Sequence, residues 1–397
     1  MLTGFPTRRT LVRLDQRRVE FMRCNRALAL FVFFLAAMVR PCAWGAEGIK
    51  VGVHLALSGE RAPVGRIMRN AVELAVEEVN RTGGINRMPL RPIYEDSGST
   101  PDSAATAARR LVHEHEVVAI VGELFSPFVL ASRDVVEGAG VPYLTGGTSP
   151  RTTESARWIF RVAASDAVLA GLLARFTVEQ HQLRRLAVLS SRVGVHNARA
   201  ELLLKVLQEK HALMPAVRET WSPDDRDFSP MFAKVKAASV EAVIALGETA
   251  EAPAFLRQLR AQGISAPVIA HRDFGVKSVL DEAGLAAEDV LIVTEYVPAL
   301  LDAERQAWAR SFQQRWGAEP GIIGAQYHDA ILLLAAAMRG AGTTRTQIKA
   351  GLEKLREFRG VMGNYTFDAK HDGLHRFYVA RIRSGQPTLE AVLDATP

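Results

Sequence analysis

Cysteine is almost missing from this chain. Its 397 residues include two, Cys24 and Cys42, both within the first 45. The rest therefore has no disulfide, no thiol nucleophile and no thiolate-ligated metal. An excess of one charge is missing as well. Eight of the 49 basic residues but two of the 43 acidic ones lie in residues 1–45, leaving 41 of each beyond. A body so balanced has no field to gather nucleic acid or an anionic membrane, so neither is expected as a partner. Long apolar runs are absent too. The longest, residues 27–39 (ALALFVFFLAAMV), falls short of the ~20 residues that a membrane span needs.

That run has another reading. Seven arginines precede it and Ala43-Trp44-Gly45 follows, which together describe a secretory signal peptide over residues 1–45. Val39-Arg40-Pro41 before Cys42 does not resemble a lipoprotein acylation site.

Beyond the leader, short apolar strands alternate with helical spacings. IKVGVHL (residues 49–55) reads as a buried strand, and the next helix carries Ile67, Val72, Leu74, Ala75 and Val79 inward until Thr82-Gly83-Gly84 stops it. Strands follow at 90–96, 117–122 and 141–144, and a second series occupies 185–190, 216–221, 241–247, 266–270 and 290–295. Repeated β-α-β with buried strands means parallel sheets covered by helices on both faces. The expected fold is α/β, with two Rossmann-like lobes joined by a multi-strand hinge. Residues 46–165 plus 296–362 are assigned to lobe 1, and 166–295 plus 363–397 to lobe 2. Three helices after residue 295 are expected to return to lobe 1, and a terminal hairpin is expected to turn at Asp372-Gly373.

Signatures of catalysis fail in turn. Residues 59–66 (GERAPVGR) have five residues between glycines and no Lys-Ser/Thr, and neither G-x-G-x-x-G nor G-x-S-x-G follows a strand. His113 and His115 are two apart, on different faces of a helix. His371, Asp372 and His375 fall in the presumed turn. No metal, no cofactor and no enzymatic activity are expected. What remains is a set of polar loops at strand C-termini, where open α/β sheets place ligands. They are Leu57-Ser58-Gly59, residues 123–127 (ELFSP), residues 141–154 (VPYLTGGTSPRTTE) and His271-Arg272-Asp273-Phe274. Their hydroxyls and helix-start N–H groups suit a carboxylate. Ser126, Thr148 and Ser149 could equally be helix caps or turn formers.

In order and spacing, residues 49–112, 117–150, 254–264, 327–342 and 358–373 resemble the periplasmic branched-chain amino-acid-binding proteins of ABC transporters, with the type I periplasmic binding fold. The resemblance covers nearly all of the chain beyond the leader. It implies a monomeric clamshell that closes on a small-molecule ligand and docks on permease subunits. It also implies ligand-binding roles for Ser126, for Gly147 through its backbone, and for Thr148, with Asp273 across the cleft to take an ammonium and Glu248 where the family often contributes a side chain. Phe125 and Val195 are counted with them as ligand-binding candidates, and Ser97 to Thr100 and Phe125 lie in the neighbourhood of an early disulfide that the family has and this chain lacks. Val64, Val195 and Glu248-Thr249 replace aromatic rings that line the family's pocket. These departures imply a small carboxylate-bearing ligand, an amino acid or a related compound. A periplasmic sensor of the same fold, feeding a membrane receptor or kinase, is the alternative.

Overall fold

The computed structural model describes residues 48–395. The signal-peptide reading lies outside the described residues.

Strand β1 (Ile49–Leu55) is buried at every position but Lys50, with His54 the one polar side chain taken inside. It sits inside a five-stranded sheet ordered β2-β1-β3-β4-β5, with β2 (Leu90–Asp96), β3 (Ala119–Gly122), β4 (Tyr143–Thr145) and β5 (Ile159–Arg161), all parallel. Helices α1 (Ala62–Arg81), α2 (Pro101–Arg109, continued by a π turn) and α3 (Ser126–Ala139) make the crossovers. Helix α1 begins so close to the end of β1 that a Cβ on Gly65 would lie 1.8 Å from the Ala56 carbonyl oxygen. Gly65→Ala forces helix and strand apart in a packed core and is expected to cost about 1–3 kcal/mol in urea unfolding. Wild-type stability would refute that close approach.

The second sheet is ordered β14-β13-β10-β9-β8-β6-β7. Strands β6 (Leu186–Ser191), β7 (Val217–Trp221), β8 (Ala242–Leu246), β9 (Val268–His271) and β10 (Leu291–Thr294) are parallel, and all but the edge strand β7 are buried along their whole length, as parallel strands covered on both faces are. Helices α4 (Asp166–Ala174), α5 (Gly194–His211), α6 (Ser229–Ala237), α7 (Ala252–Ala261) and α8 (Lys277–Ala283) cover its faces. Three more helices follow: α9 (Ala303–Trp316), α10 (Gly321–Ala341) and α11 (Arg345–Lys354). Helix α10 packs on α1, so Ile331, Leu334 and Met338 share one core with Val53, Met68 and Val72.

The chain's end meets the sequence expectation only in part. The two expected segments do meet antiparallel around Asp368–Gly373, at the Tyr365–Leu374 bridge and the 3.0 Å bond from the Thr366 N–H to the Gly373 carbonyl. The turn, however, falls at Ala369-Lys370 and not at Asp372-Gly373, and no extended ladder forms there. Instead β11 (Phe358–Arg359) pairs with β12 (Asn364–Tyr365), and β13 (Arg376–Arg383) pairs with β14 (Gln386–Asp394), antiparallel through Ser384-Gly385. Both of those turn residues have positive φ, 51° and 73°, as a tight hairpin of matching twist needs. Asp372 is drawn away by Arg161 of β5, with which it forms a backbone bridge and an ion pair.

Candidate functional site

The loops after β3 and β4 meet at the C-terminal edge of the first sheet. Helix α3 starts at Ser126, and its hydroxyl oxygen accepts the Ser149 N–H at 3.1 Å. A hydroxyl has one proton, so Ser126 keeps its own to give. Gly147 lies directly alongside. A Cβ there would stand 3.5 Å from Ser126 Oγ and 3.1 Å from methyl groups of Val129 and Thr152. Its N–H donates to Thr145 Oγ1 at 3.1 Å, so Gly147 makes room rather than offering a free donor. The Thr148 N–H makes no hydrogen bond among the described residues. Three predicted residues, Ser126, Gly147 and Thr148, therefore do come together. Phe125 caps the same rim, half-buried, with the Arg61 guanidinium 4.1 Å above its ring.

Thr148 is wired to the second lobe. Its hydroxyl donates to Asp166 Oδ2 at 2.9 Å, and the Asp166 N–H donates to the Thr148 carbonyl at 2.9 Å. Asp166 begins α4, which packs into the core beneath the second sheet. Its other oxygen accepts from Arg199 Nε at 2.7 Å. The guanidinium of Arg161, wholly buried, donates to the Thr148 carbonyl at 2.6 Å and to the hydroxyls of Thr152 and Thr153 at 2.9 and 2.6 Å. One cation thus fixes the shape of the loop after β4.

Opposite stand the loops of the second sheet. Glu248 follows β8 and reaches His196 Nε2 at 3.0 Å, keeping 44% of its side chain exposed. Asp273 follows β9 and accepts from His271 Nδ1 at 2.7 Å, with His196 at 3.9 Å and Arg199 at 4.0 Å. Burial opposes the charge on Asp273, but His271, Arg272 and Arg199 together hold its carboxyl well below the usual range. Burial and the nearby Arg199 push His271 down to about 3, so it stays a neutral ring. Glu251 ties this wall together, accepting from Ser191 Oγ and from the Glu248 N–H, each at 2.9 Å. Val195 precedes His196 in the first turn of α5 and is 38% exposed, an apolar point beside polar ones.

The sequence reading missed Asp166, His196 and Arg199. The spacing of His196 and Arg199, one turn apart just after a strand, is the signal that could have found two of them.

The sequence model of the periplasmic binding protein family matches residues 48–387. The chain belongs to that family. The "Leucine-, isoleucine-, valine-, threonine-, and alanine-binding protein" of Pseudomonas aeruginosa is 25% identical over 352 residues, covering 88% of this chain and 93% of that one. The branched-chain amino acid transporter substrate binding protein LivJ from Streptococcus pneumoniae, solved in complex with isoleucine, superposes with a TM-score of 0.73. It is 24% identical and covers 88% of this chain and 100% of its own. A solute binding protein of an ABC transporter from R. palustris, solved in complex with benzoate, gives 0.72 at 20% identity, with 88% and 98% covered.

For a periplasmic binding protein the chemistry of the site is passive. Ser126 is partnered by an amide and not by a base, and the neutral His271 is held by Asp273. A donor-lined rim faces a wall that mixes a guanidinium with carboxylates. Such a cleft can grip a polar molecule from two sides and has no activated nucleophile among the described residues.

Proposed function

We propose that the protein is the extracytoplasmic solute-binding component of an ABC uptake transporter, carrying a small carboxylate-bearing ligand, an amino acid or a related compound, between its lobes. The observation that carries this reading is the opposition of two unlike walls. Free donors at Ser126 Oγ and the Thr148 N–H suit a carboxylate, while the partly exposed Glu248 side chain across the cleft suits a ligand cation. Asp273 is the weaker candidate for that cation because its side chain is less exposed, 27% against 44%, and is held more closely by its histidine. Closure of the lobes on the ligand buries both ends at once, and the closed form is the one offered to permease subunits. Residues 1–45 supply the export signal in this reading, and the carrier works as a monomer in the periplasm.

Calorimetry with leucine, threonine and benzoate tests it. At least one of these should bind. Ser126→Ala should then weaken binding by about 1–3 kcal/mol, the worth of a hydrogen bond to a charged group. Glu248→Gln should weaken the amino acids by a similar amount and leave benzoate unchanged. Full affinity in Ser126→Ala would return that hydroxyl to a purely structural role.

A further inference from the structure

Glu123, one residue beyond β3, is used by neither wall described above. It has a left-handed backbone, φ 36°, which a non-glycine residue rarely adopts, and its side chain is 1% exposed. Ser97 Oγ donates to one carboxyl oxygen, and the other is buried without a partner among the described residues. The main chain of Glu123 is the joint of the first wall. Its N–H donates to the His54 carbonyl at 2.9 Å. Its carbonyl accepts from the Gly146 N–H at 3.1 Å and from Thr145 Oγ1 at 2.6 Å. The Gly146 N–H also reaches Tyr327 Oη at 3.2 Å.

The groups facing this carboxyl are few. Arg61, just before α1, is the cation that acts on it most among the described residues, and its guanidinium lies over Phe125. Tyr143 of β4 and Tyr327 of α10 are fully buried neutral phenols close enough to feel its charge. His54 of β1 stands behind Tyr143, bonded to its hydroxyl at 2.9 Å, and burial keeps that ring neutral. Asp96 turns away to the amides of Leu57, Ser58 and Gly98. A second anion arriving at Ser126, three residues on, adds like charge to this small pocket.

We propose that Glu123 is a proton-operated joint between the two rim loops, and that its protonated form receives the ligand's anionic group. The second clause rests on the carboxylate reading of the cleft. A proton moves from solvent to the free carboxyl oxygen, and no other bond changes. By linkage, whatever favours the proton favours the anion equally.

Two measurements test this. In the ligand-free protein, the Gly146 and Gly147 amide resonances should titrate between pH 6 and 8, and Glu123→Gln should hold them still. Static amides in the wild type, or the same titration in Glu123→Gln, overturn the joint. With leucine and benzoate as probes, calorimetry in phosphate and Tris at pH 7 should show proton uptake on binding. The affinity of a bound probe should fall about tenfold from pH 6.5 to 8.5, with both effects gone in Glu123→Gln. Binding without uptake overturns the coupling. Titrating amides with neither probe bound keep the joint and sink the carboxylate reading instead.

Discussion

Arg161→Met should cost the protein about 3–5 kcal/mol, read as a lowered urea midpoint, because it leaves the buried Asp372 without its cation. The guanidinium is wholly inside, with Nε 2.9 Å from Asp372 Oδ1. Burial already raises the Asp372 carboxyl, and Arg161 is the main group opposing that rise. Losing Arg161 also orphans the Thr148 carbonyl and two threonine hydroxyls, all on the loop that forms half the rim. Ligand affinity should therefore fall together with stability. Adding Asp372→Leu to Arg161→Met removes the stranded charge and should restore part of the stability without restoring the loop. An undisturbed midpoint in Arg161→Met would show that the pair is not buried as described.

The second large effect is one of pH. Burial pushes the Glu123 carboxyl up to about 7, against the pull of Ser97 and Arg61. An acid whose folded pKa is raised stabilises the fold fully below its unfolded value near 4.5 and loses that contribution as pH rises through 7. Over that window the term is worth about 3 kcal/mol, at 1.36 kcal/mol per unit. His54 and His271, held down to about 4 and about 3 by burial, run the other way. Their contribution is present above 6.5 and fades as pH falls toward those values. The raw wild-type curve therefore mixes opposing slopes, and its difference from Glu123→Gln isolates the carboxyl. That difference should shift by about 3 kcal/mol between pH 4.5 and 7.5 in favour of the variant. Parallel curves would place the Glu123 carboxyl in water.

Local pattern carried most of the architecture. Strands such as β1 and β8 are legible because a strand covered on both faces must be apolar throughout. The region 158–174 was not read as strand and helix, because β5 has only three residues and α4 has almost no polar face to set a period. The terminal hairpin was misplaced for a different reason. Asp372-Gly373 has good turn chemistry, but a cation 211 positions earlier claims its side chain. Ser126, Gly147 and Thr148 could be found because each sits in the first residues after a strand. Asp166 could not, because its role exists only once two elements from different parts of the chain meet over Thr148.

Helix α10 lies against α1 although some 250 residues separate them. The first sheet thus cannot complete its core until almost the whole polypeptide is available. Until then the inner faces of β1 and α1 have nothing to cover them. Contacts so distant in sequence slow folding and leave apolar surface open to aggregation. Truncation just before residue 321 should therefore yield an insoluble fragment rather than a free-standing half.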